Sequence, residues 1–109
     1  MVANVLEVNP ERLWANLERS AEIGRFREVG LRRRALSAED KQMRDLFVEW
    51  AQAAGCTVEI DRLGNIFARR AGSEPSLPPV AIGSHLDTQI RGGRYDGILG
   101  VLCGLAATA

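Results

Sequence analysis

The sequence predicts an α/β fold in which helices pack on strands around one core. Three observations predict it. Two segments carry apolar residues at helical spacing, Leu13–Leu17–Ala21 and Met43–Leu46–Phe47–Trp50–Ala51–Ala54. One segment alternates with strand period, Cys56, Val58 and Ile60 against Thr57, Glu59 and Asp61. A short apolar run, Val80-Ala81-Ile82, is followed by a longer one from Gly97. Helix, helix, hairpin, strand and helix in that order make a layered α/β arrangement.

The first helix opens on Asn9 as N-cap with Pro10 at the first helical position. Leu13, Leu17 and Ala21 form its i, i+4 stripe, joined by Trp14, and Gly24 is placed to end it in a left-handed conformation. From Arg25 to Leu36 no period is clean, so a loop rich in Arg is expected. The second helix is announced by Ser37-Ala38-Glu39-Asp40, a capping box with Asp in place of the usual Glu. Its aromatic face reads as core, and Gly55 stops it. The hairpin follows, with Leu63-Gly64-Asn65 as its turn and Ile66-Phe67-Ala68 as its returning strand. Residues 72–79, rich in Ser and Pro, read as a surface loop. Val80-Ala81-Ile82 is expected to be a strand buried on both faces. The last helix, from Gly97, is apolar nearly all round, and Gly100 and Gly104 lie on one side of it, where they permit close packing on a sheet.

Composition narrows the function. The 109 residues allow one domain at most. Fourteen basic and fourteen acidic residues give zero formal charge, which argues against a polyanion binder and so against nucleic acid. The triplet Arg32-Arg33-Arg34 reads as solvated or paired within a loop. Cys56 and Cys103 have no CxxC spacing and sit among apolar neighbours, as buried free thiols in a reducing compartment would. The first seven residues lack the basic start and long apolar stretch of a signal peptide. The run from Gly97 is too short to span a bilayer. A cytoplasmic protein without membrane contact is the expectation.

The chemistry concentrates between residues 83 and 97. His85, the only histidine, follows an apolar run, where α/β folds build their sites. Asp87 is two residues on, and on an extended segment it projects to the same side as His85. There it can accept the second ring N–H and fix the tautomer of a metal-binding imidazole. Asp96 can reach back from the start of the last helix. The three also have plainer readings: a hydrogen-bonded His, a turn Asp, and an N-cap Asp. One His and two Asp do not complete a metal shell. Ser84 and His85 point opposite ways on an extended strand, so a Ser-His-Asp triad is disfavoured. No phosphate-binding glycine motif is present.

The segments Gly83-Ser84-His85-Leu86-Asp87-Thr88-Gln89 and Gly92-Gly93-Arg94-Tyr95-Asp96-Gly97-Ile98-Leu99-Gly100-Val101 resemble the first metal motif of the N-carbamoyl-L-amino-acid hydrolases. These group with allantoate amidohydrolases and bacterial-type β-ureidopropionases, in the superfamily of dimetal aminopeptidases and carboxypeptidases. Arg12-Leu13-Trp14, Ala35-Leu36-Ser37 with Asp40, and Asp61-Arg62-Leu63-Gly64-Asn65 extend the likeness over nearly the whole chain.

The resemblance implies a helix–sheet–helix dimetal hydrolase domain. In it His85 and Asp96 are metal ligands, Asp96 bridges the two ions, and Asp87 orients His85. Gln89 is a candidate substrate contact. The cofactors implied are two divalent ions, zinc, manganese, cobalt or nickel. The reaction implied is attack of a metal-bridging water on the ureido carbonyl of a small-molecule substrate, with a glutamate as base.

In the family the base, the remaining ligands, and the lid domain through which homodimers form lie downstream. Residues 1–109 therefore read as the N-terminal part of a catalytic domain, inactive alone. Two departures accompany this: Ala106 stands where a glutamate usually follows Gly-Leu, and Arg34 where an apolar residue is common. The competing readings are a peptidase of the same superfamily and a non-catalytic truncated remnant.

Overall fold

The computed structural model describes residues 7–108. Residues 1–6, which carry most of the segment lacking a signal-peptide pattern, and Ala109 lie outside the described residues. Among the described residues, three helices and two small hairpins make a slab of 49 × 38 × 19 Å. Helix α1 spans Pro10–Ser20, β1 Arg25–Phe26, β2 Gly30–Leu31 and α2 Ala38–Ala53; β3 spans Thr57–Ile60, β4 Ile66–Arg69 and α3 Ile98–Thr108.

The local start signals act as expected. The Asn9 side chain accepts from the Arg12 amide at 3.0 Å, and Pro10 opens α1. The Ser37 hydroxyl accepts from the Asp40 amide at 3.1 Å. The Asp40 carboxylate does not return this bond to Ser37. It accepts from the amide of Leu36, one residue earlier, at 2.9 Å.

One core joins the helices: Leu17 and Ile23, then Met43, Phe47 and Ala51 from α2, Cys56, and Ile98, Leu102 and Leu105 from α3. Helix α1 packs on α3, and α2 packs on the β3–β4 hairpin. That hairpin is antiparallel, pairing Thr57 with Arg69 and Ile60 with Ile66. Its turn is tied to α2 by Arg44, which donates to the Gly64 carbonyl at 2.6 Å.

Several expectations are corrected. Val80-Ala81-Ile82 is neither a strand nor buried: the segment has no partner strand, and Val80 is 93% exposed. Backbone groups at a strand need a neighbour, and the hairpin supplies none here. Gly100 and Gly104 do permit close packing, but on this extended segment rather than on a sheet. A Cβ on Gly100 would lie 2.9 Å from that of Ser84, and one on Gly104 3.1 Å from Cγ2 of Ile82.

The stretch from Arg25 is not wholly loop, since β1 and β2 pair within it. Trp14 leaves the α1 stripe and is half-exposed, tilted against Tyr95 at 6.3 Å between ring centroids. Helix α1 itself ends before Gly24, with Ala21 as its C-cap. Cys56 is a buried free thiol, whereas Cys103 is exposed. A helix apolar on all sides gives no sequence cue to its outward face, and Cys103 takes it. Among the described residues, no helix is long and apolar enough to cross a membrane.

Candidate metal centre

The residues from Leu86 to Gly92 fold back onto the segment Leu31–Arg33. Leu31 and Gly92 exchange two backbone hydrogen bonds of 2.9 Å each. The Thr88 amide donates to the Arg33 carbonyl at 2.7 Å, and the Arg33 amide donates to Thr88 Oγ1 at 2.8 Å. Arg32 donates from Nε to the Ile90 carbonyl at 3.1 Å, its guanidinium lying over the Phe26 ring at 3.9 Å. The Arg-rich stretch is thus the support of the His85 loop.

Arg33 takes the second of its two sequence readings, pairing within loops. Its side chain is fully buried. Nε donates to Leu86 O at 2.9 Å, and Nη1 donates to Ser20 O and Ile23 O at 2.8 Å each. Burial pushes this guanidinium below its ordinary pKa, while the charges of Asp40 and Asp87 act in the opposite sense.

On this support His85 meets both aspartates. Nδ1 lies 2.9 Å from the backbone carbonyl of Asp87 and 3.3 Å from its Oδ1. A carbonyl oxygen only accepts, so Nδ1 is the donor here, and in a neutral imidazole with that tautomer the lone pair falls on Nε2. Nε2 faces Asp96 Oδ2 at 3.9 Å. That separation exceeds hydrogen-bond range. It is below the roughly 4.0–4.3 Å sum of one imidazole–zinc and one carboxylate–zinc bond, so a single ion fits between the two atoms.

Asp96 is available because it does not cap α3. Gly97, at φ +78°, precedes the first helical residue, and the Asp96 side chain is 77% exposed. Gly97 is also required by space: a Cβ there would overlap the His85 ring. Among the described residues, no group of three or more His, Cys, Asp or Glu side chains forms a complete metal cage. Gln89 lies on an open depression shared with Arg34, Thr88, Ile90 and Arg91. The residues whose part in the site sequence reasoning missed are Arg33 and Thr88, which bond each other and, from Arg33, Leu86 across more than fifty positions.

The chain as a whole is similar to known proteins. An N-carbamoyl-L-amino-acid amidohydrolase of Pseudomonas sp. (strain NS671) is 45% identical over 98 residues, covering 90% of this chain and 24% of the relative. The chain belongs to the N-carbamoyl-L-amino-acid amidohydrolase family. The ureidoglycolate hydrolase of Arabidopsis thaliana is 52% identical over 54 residues, 50% of this chain and 11% of that protein. The crystal structure of a hydantoinase/carbamoylase family amidase from Burkholderia ambifaria is 50% identical. It superposes with a TM-score of 0.91, covering 94% of this chain and 25% of that one. No protein-family model matches the sequence. The chain spans about a quarter of the length of the curated relatives it matches.

Proposed function

We propose that this chain is the part of a metal-dependent hydrolase that supplies one ligand pair, His85 and Asp96, for cleavage of non-peptide C–N bonds in N-carbamoyl amino acids or allantoate-like ureides. The observation that carries the reading is the opposed pair of lone pairs: Nε2 of His85 and Oδ2 of Asp96 face each other at 3.9 Å, with the other ring nitrogen already committed to Asp87. The names borne by the relatives support carbamoyl and ureide substrates over peptides.

Each residue has a defined task. Asp87 holds the Nδ1 proton and so keeps Nε2 free as a donor atom. Asp96 supplies the anionic oxygen and, as the bridging ligand implied by the family, would serve a second ion. Gly97 lets the backbone pass against the imidazole. Gln89 sits on the loop where a substrate would approach. A divalent ion held there would supply acidification of a bound water and polarisation of the ureido carbonyl. Zinc, manganese, cobalt and nickel all suit this mixed nitrogen–oxygen set. The base and the remaining ligands belong, on this reading, to parts of the family's catalytic domain outside the aligned quarter, and the dimer contacts to its lid.

Two side-chain ligands bind a divalent ion weakly, since zinc sites normally take three or four protein ligands. Zinc titrated calorimetrically into the 109-residue chain should bind weakly, and His85→Ala or Asp96→Ala should abolish the heat. The chain alone should release no ammonia from an N-carbamoyl amino acid. Tight binding that survives Asp96→Ala would sink the ligand assignment. Metal-dependent ammonia release by the isolated chain would sink the division of labour.

A further inference from the structure

Arg33 is a fully buried cation with no place in the chemistry above. Its side chain donates to three backbone carbonyls from two parts of the chain: Ser20 and Ile23 at the end of α1, and Leu86 in the His85 loop. The Ser20 carbonyl, the last of α1, is a fitting counterpart, because the C-terminal end of a helix carries partial negative charge. The third carbonyl is the informative one. Leu86 O belongs to the peptide that joins His85–Leu86 to Asp87. Holding it fixes the plane from which the Asp87 side chain departs. On the far side of Asp87, the backbone of Arg33 makes two bonds to Thr88, at 2.7 and 2.8 Å. Asp87 is therefore gripped by one residue at both of its neighbours.

We infer that Arg33 is the positioning residue of the His85–Asp87 pair: it locks the backbone on both sides of Asp87 and thereby decides which imidazole nitrogen faces Asp96. Its Nη2 is buried without a hydrogen-bond partner among the described residues. This inference rests on the proposed role of His85, and it concerns the metal-free protein.

His85 is the only histidine, so selective ¹⁵N-histidine labelling gives one imidazole spectrum without assignment. At alkaline pH, where the ring is neutral, the wild-type chain should show the Nδ1–H tautomer. Arg33→Met should shift the ring toward a tautomer mixture and weaken zinc binding at least tenfold. Arg33→Lys, which keeps the charge but not the fork, should restore part of the preference. Because Arg33→Met removes a buried cation, Thr88→Val provides a second, isosteric test of the same grip, and it should move the tautomer in the same direction.

Met43→Ala destabilises the core away from the loop and should leave the tautomer as in wild type. An unchanged tautomer in Thr88→Val and Arg33→Met, with native circular dichroism, would overturn the inference. So would an equal change in Met43→Ala. Zinc failing to bind a wild-type chain whose tautomer obeys these expectations would reject the metal site and leave the positioning role standing.

Discussion

The two segments that flank His85 are built in opposite ways. After it, residues 86–92 are cross-bonded to residues 31–33 by four backbone-to-backbone or backbone-to-hydroxyl bonds and by two arginine side chains. Before it, residues 80–84 make no backbone hydrogen bond among the described residues, and touch α3 along one side only. Yet by composition the leading segment is the more apolar. Apolarity states what could be buried, whereas pairing of peptide groups decides what is held. The geometry at His85 is thus inherited from the segment that follows it.

The sharpest way to break this comparison is to loosen the held side. Leu31 is fully buried and its peptide groups pair with Gly92. Leu31→Ala should cost about 2–5 kcal/mol, the usual range for emptying a core leucine site. Chemical denaturation of the purified chain gives the number. A loss under about 1 kcal/mol would mean that the clamp collapses onto the void and is softer than its bonds indicate.

A milder test adds volume instead. A Cβ on Gly92 would sit 2.7 Å from that of Thr88, so Gly92→Ala pushes on the residue that bonds Arg33. Overpacking of this kind typically costs about 1–3 kcal/mol. Amide exchange at Thr88 and Arg33 should rise with it. Unaltered protection there would show that Gly92 and Thr88 can part without disturbing the grip.

What could be read from sequence divides along the same line between local and distant partners. Asn9, Pro10, Ser37 and Gly55 act on backbone within a few positions, and their elements appeared where expected. His85 and Asp87 were legible because two residues on an extended chain share a side. Asp96 was legible as a candidate partner, but not that Gly97 would take the cap position and leave its carboxylate outside the helix. Arg33 was out of reach: a guanidinium among Arg neighbours carries no mark of the carbonyls that will surround it, and those lie at Ser20, Ile23 and Leu86. The run at 80–82 misled for the reverse reason. Its side chains suit a buried strand, but strandness depends on a neighbour, which no pattern within the run can supply.

The smallest effect on stability is expected on the unheld side, and it sharpens the contrast most. Val80 is 93% exposed and contributes no bond that holds the His85 loop. Substituting Val80→Lys should therefore change the unfolding free energy by no more than about 0.5 kcal/mol. The surface around it is a different matter. Val80 and Ile82 leave apolar area in water beside a backbone whose peptide groups are unpaired among the described residues, and Ile60 and Phe67 expose more on the hairpin. Such surface drives association between copies of a chain, and a lysine placed within an exposed extended segment opposes it by charge and hydration. Sedimentation of the wild-type chain should reveal self-association that Val80→Lys reduces, with the unfolding midpoint nearly constant. A wild-type chain that sediments as a monomer would remove the association. A fall of about 2 kcal/mol or more in Val80→Lys, the scale of a buried apolar contact, would mean that the leading segment is held after all.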